Sequence, residues 1–160
     1  MKRTLVIAIL SVTAFTYSYF YNFEAEGEKM FVHTKLQPFM VELTDILEKN
    51  NVEVDWSKIQ TVTLLPLKDG IQGFWSRDNS TVSINFYVQL PPFESLTAQE
   101  QDDFILLILA HEVGHSQGLV HTAADVEGLM NPTSKYDLTA IRENRVEQYI
   151  VDGLKQKTSD

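Results

Sequence analysis

Three histidines and a glutamate crowd one short stretch of this 160-residue chain. His111, Glu112, His115, Gly118 and His121 follow the spacing H-E-x-x-H-x-x-G-x-x-H. Residues four apart on a helix share a face, so the His111 and His115 rings can hold one metal ion between them. Glu112 stands about a hundred degrees round the helix from His111. It is badly placed as a ligand and well placed to reach a water on the metal. Gly118 can adopt the left-handed conformation that ends a helix, which lets His121 swing back as a third nitrogen ligand. Three protein ligands leave one zinc position open, the mark of a catalytic site rather than a structural one. The expected chemistry is hydrolysis by a metal-activated water, with Glu112 as general base. A lone histidine reads as an ordinary hydrogen-bonded residue, but three of only four in the chain sit here. A chance match to the whole pattern is on the order of one in 10⁵ chains of this length.

The motif needs a helix, and the sequence provides its start. Thr97-Ala98-Gln99-Glu100 is a capping box, in which the Thr hydroxyl and the Glu carboxylate satisfy the first free amides. The helix is expected to run from residue 98 to about 117 and to be central to the core, because residues 104–110 are densely apolar. Upstream, Phe39, Met40, Leu43, Ile46 and Leu47 recur at helical spacing over residues 35–50, with Pro38 suited to the first turn. Residues 59–67 alternate as a strand, and residues 70–75 and 81–90 form a hairpin through Arg77-Asp78-Asn79-Ser80. A last helix is predicted over residues 138–152, capped by Asp137, with Leu138, Ile141, Tyr149 and Ile150 as its buried stripe.

Composition bounds the partners. Hydrophobic residues make up 44% and charged residues 22%, as in a single globular domain. The formal net charge of −9 argues against nucleic acid as a partner, since that requires clustered Lys and Arg. With no cysteine, no disulfide or thiol chemistry is available. Lys2 and Arg3 precede an uncharged run over residues 4–23 that ends in Tyr17, Tyr19, Phe20 and Tyr21. Residues 1–23 therefore read as a signal peptide or a signal anchor, and residues 24–160 as the exported catalytic domain. Membrane contact is expected only through that segment, and the rest to be secreted or extracytoplasmic and monomeric.

The eleven-residue motif resembles the signature of the metzincin clan of zinc metallopeptidases, in which a Met-containing turn follows. Leu129-Met130-Asn131-Pro132 stands at a suitable distance, so Met130 is the Met-turn residue by this resemblance. It would form an apolar floor under the imidazoles, a role compatible with ordinary core packing. Thr122, the Leu-Met-x-Pro turn and a short C-terminal helix look most like matrixins. The resemblance implies an α+β, zincin-type fold. A small, mostly N-terminal sheet would pack on the active-site helix, with the Met-turn and one helix in a C-terminal subdomain. It implies a zinc-dependent endopeptidase with one catalytic Zn2+ and a protein or peptide substrate. That substrate would lie extended on an edge strand, assigned here to residues 81–90, and Tyr136 would line the adjacent pocket. Tyr136 reads equally well as a helix-flanking core aromatic. A cysteine-switch propeptide is ruled out, the second zinc of matrixins lacks histidines beyond His33, and nothing in the sequence supports structural calcium. Two other readings keep the zinc: an inactive recognition domain, against which Glu112 speaks, and a hydrolase of a non-peptide bond. A membrane-anchored structural module with accidental histidines is a third.

Overall fold

The computed structural model describes residues 19–68, 70–85, 95–133 and 135–155, without the side chain of Tyr136. The chain opens with a hairpin, β1 (Phe20–Ala25) and β2 (Glu28–His33), in the register Ala25↔Glu28. Glu26 and Gly27 form its two-residue turn with φ of 50° and 85°, the double positive φ that matches strand twist. Alternation buries Phe23, Ala25, Met30 and Val32 on one face. This hairpin was not anticipated. Its first four residues fall within the segment read as an export signal, whose residues 1–18 lie outside the described residues.

A short 3-10 turn leads into α1 (Gln37–Lys49), which crosses to β3 (Thr61–Leu65), parallel to β2. β4 (Gly73–Ser76) and β5 (Thr81–Asn85) form the expected antiparallel hairpin. The five-stranded sheet has the order β1-β2-β3-β5-β4. β5 is therefore interior, parallel to β3 on one side and antiparallel to β4 on the other. The edge strand packed against the helix that carries the histidine motif is β4. The assignment of the edge to residues 81–90 is thus corrected; residues 86–90 lie outside the described residues. Order in a sheet is set by long-range pairing, and the last strand before a helix need not be the outer one.

α2 (Ala98–Ser116) starts at the capping box: the Thr97 hydroxyl accepts from Glu100 N–H and the Glu100 carboxylate accepts from Thr97 N–H. Phe104, Leu106, Leu107, Ile108, Leu109, Ala110 and Val113 are all buried, so the helix is the axis of the core. It packs against β4 and β5 on one side and three helices on the others. α2 stops at Gly118, whose φ is +92°. Leu119 N–H bonds to Gly114 O at 3.1 Å and Gly118 N–H to His115 O at 3.0 Å, the paired bonds of a Schellman cap. The Gln117 side-chain amide pins the helix end to residue 55, with bonds of 3.0 and 3.2 Å to the Asp55 backbone.

The C-terminal stretch is two helices rather than one. α3 (Lys135–Arg142) and α4 (Val146–Lys155) are separated by a second Schellman cap. Arg145 N–H reaches Ala140 O at 2.8 Å, Asn144 N–H reaches Ile141 O at 3.0 Å, and Asn144 has φ of 54°. Asparagine tolerates that conformation, so a break forms with no Gly or Pro to announce it. Asp137 accordingly lies inside α3 and is not a cap. Of the expected stripe, Ile141, Tyr149 and Ile150 are buried and Leu138 is partly so.

Candidate metal centre

α2 carries His111 and His115 on one face, and the turn at Gly118 returns His121 to them. The His121 Nε2 lies 3.1 Å from the Nε2 of His111 and 3.1 Å from that of His115. The other ring nitrogens are anchored: His111 Nδ1 lies 2.6 Å from Leu129 O, and His115 Nδ1 lies 2.9 Å from Leu119 O. A carbonyl oxygen can only accept, so both Nδ1 atoms carry the proton and both Nε2 atoms present lone pairs. A single proton on His121 cannot serve two facing lone pairs. A cation can satisfy all three nitrogens, and those three side chains form a cluster able to hold a metal ion. Nitrogens 2.0–2.1 Å from a tetrahedral zinc stand roughly 3.3 Å apart, close to the spacing found.

Electrostatics favours the same role. Burial pushes the His111 pKa down to about 4, against the opposing hydrogen bond to Leu129, and the neighbouring His115 and His121 rings add to the lowering. Burial, and then the His115 ring, also lower the pKa of His121. Neutral imidazole is the form that binds a metal.

Glu112 points from α2 toward β4. It is 5% exposed, and burial raises its pKa to about 8, while the facing Trp75 backbone amide acts the other way. β4 comes so close that a Cβ built on Gly73 would stand 2.5 Å from the Glu112 Oε1. Only glycine fits there, a requirement that the bare sequence of the hairpin does not display.

Met130 is buried. A Cβ on Gly114 would meet its Sδ at 2.7 Å, so the unspecified fourth residue of the motif must be small in this chain. Gly153 on α4 plays the same part for Leu129, which a Cβ there would strike. Leu129 is the residue whose carbonyl holds His111. Asn131 closes the intervening loop: its Nδ2 donates to Val126 O at 2.7 Å and Ala123 O at 3.2 Å. Its Oδ1 accepts from the Thr133 amide at 2.8 Å and hydroxyl at 2.7 Å. Gly73, Gly114, Asn131 and Gly153 were missed by sequence reasoning; only Gly114 and Asn131 lie inside the motifs that could have pointed to them.

Two cavities meet at Glu112 and His121. The smaller, about 220 Å³, is lined by residues 70–73, Ile108, His111, Asn131, Pro132, Thr133 and Asp137 in addition to those two. The larger, about 430 Å³, lies toward Phe74, Trp75, Arg77, His115 and residues 118–120. Tyr136 belongs to α3, and its side chain lies outside the described residues. The chain matches no family model, no curated protein and no solved structure.

Proposed function

We propose that this chain is a zinc-dependent endopeptidase of metzincin type, matrixin-like in its motif and turn. The observation that carries the reading is the convergence of three imidazole nitrogens beside a buried carboxylate, where two cavities meet under a sheet edge. His111, His115 and His121 would hold one zinc ion. When bound, zinc supplies a Lewis acid that acidifies water and draws electron density from a carbonyl oxygen.

The remaining work falls to the chain's own residues. Leu129 O and Leu119 O fix the two helix-borne rings in the tautomer that offers Nε2. Glu112 takes a proton from the attacking water as its oxygen adds to the peptide carbonyl carbon. It then passes that proton to the amine nitrogen as the C–N bond breaks. Its high proton affinity comes from burial, and a zinc ion held by the histidines would lower it toward the range of a base that is ionised near neutral pH. An extended protein or peptide substrate can pair with the outer edge of β4, its side chains entering the two cavities. The intact, cradled Glu112 favours catalysis over a retired, zinc-bound recognition domain.

The basic start and uncharged run at the N-terminus support export. Because Phe20–Ala25 pairs within the sheet, the run left outside it is shorter than the ~20 residues that span a bilayer, which favours a signal peptide over an anchor.

The test is cleavage of a mixed peptide library by the zinc-loaded protein, with a chelator and Glu112→Ala as controls. Cleavage abolished by both is expected. One zinc per chain without cleavage of any peptide would shift the reading to a recognition domain or a non-peptide hydrolase.

A further inference from the structure

The smaller cavity holds a carboxyl group that the hydrolytic chemistry does not use. Asp137, in the first turn of α3, lines it together with His111, Glu112 and His121. Among the described residues that line it there is no Lys or Arg. The ion pairs Lys49–Glu147, Lys58–Asp55, Arg145–Glu127 and Arg145–Glu143 do not involve Asp137. Burial, and then the charge of Asp137, raise the proton affinity of the Tyr149 hydroxyl on α4. Burial lifts the Asp137 carboxyl to about 7, although the residue keeps part of its surface open to the cavity. A position near the start of α3 favours an acid there, but that modest, screened effect does not require enclosure.

Resting on the peptidase reading, we propose that Asp137 makes this cavity a pocket for a cationic substrate side chain, lysine or arginine, on a residue next to the bond that is cut. The cavity's walls include two of the metal-site histidines and the general base, so a side chain within it belongs to a residue flanking the reacting carbonyl. Its volume of about 220 Å³ suits one side chain rather than a whole small ligand. A long apolar stem can lie along Ile71 and Ile108, with its charged end at Asp137. An acidic side chain would meet a like charge in a poorly solvated space. The chain's formal net charge of −9 also draws basic peptides toward the cleft.

The test uses paired peptides that differ only in lysine or norleucine at the residue flanking the cut, read in two ways. Cleavage by the zinc-loaded protein gives a ratio of kcat/KM. Binding to zinc-loaded Glu112→Gln protein, followed by fluorescence anisotropy, gives a ratio of Kd without turnover. Charge-assisted hydrogen bonds lead us to expect lysine to be favoured by about tenfold or more in both. Asp137→Asn should bring both ratios close to one, and Asp137→Glu should restore most of the preference. Zinc content and thermal midpoint of each variant show that it is folded. Cutting or binding without preference for lysine, or a preference that survives Asp137→Asn, overturns the assignment and leaves the peptidase reading standing. If nothing is cut, the peptidase reading fails, and the anisotropy ratio still decides the role of Asp137.

Discussion

His111 and His115 hang from backbone carbonyls, at 2.6 Å and 2.9 Å, whereas Glu112 lies against a strand that has no side chain at the point of contact. On the metal side, polar bonds set both the direction and the tautomer of each ring. On the base side, burial sets the proton affinity and the closeness of β4 sets the position. The contrast separates two kinds of failure: damage below α2 should reach the metal, and damage above it should reach the proton transfer.

The largest effect is expected from the functional groups themselves. Glu112→Gln should lower kcat/KM at least about 10³-fold while one zinc per chain is retained, as judged by elemental analysis and peptide kinetics. His111→Ala should abolish both activity and stoichiometric zinc. Next come two glycines, Gly73 on β4 and Gly114 within α2. Gly73→Ala forces Glu112 aside, and a shift of about 1 Å in a reacting group can cost on the order of 100-fold in turnover. Its zinc affinity should be near that of the parent. Gly114→Ala pushes on Met130 instead and should weaken zinc binding by roughly 10–100-fold in a chelator competition. If both substitutions impair the same quantity, the two sides are not independent.

A smaller effect is expected one layer further out. Gly153→Ala gains about 1 kcal/mol of helix propensity but drives a methyl group into Leu129. Overpacking of this kind destabilises by about 1–3 kcal/mol, so denaturant titration should show a net loss. The smallest effect concerns pH. The Asp137 carboxyl is raised to about 7 in the folded chain, so the fold holds this proton more tightly than the unfolded chain does. Its contribution to stability is therefore full below about pH 4, where the unfolded carboxyl titrates, and is lost as pH rises through about 7. Urea unfolding of the metal-free protein across that window should show Asp137→Asn with a flatter decline than the parent.

The site was more legible in the sequence than the fold around it, and the reason is range. The ligand spacing, the Thr97 cap and the stop at Gly118 are governed by residues within one or two helical turns. The β1–β2 hairpin was hidden because Phe20 to Phe23 continue an uncharged run, which obscured their alternation. The order that puts β4 rather than β5 at the edge arises from pairing with β3, far away in the chain. The split between α3 and α4 rests on one Asn in a left-handed conformation, a residue that equally tolerates a helix. Gly73 and Gly153 matter through contacts with Glu112 and Leu129 that no local pattern encodes. Asp137 was read as a helix cap because its neighbours are helical; its place in the cavity wall depends on where α3 docks.

The most direct test of the metal centre is zinc K-edge X-ray absorption on the protein loaded with one equivalent of zinc. Three imidazole nitrogens at about 2.0–2.1 Å and one oxygen ligand are expected, with an imidazole lost in His121→Ala. A spectrum with no imidazole scattering, or one unchanged by His121→Ala, would contradict a three-histidine metal centre.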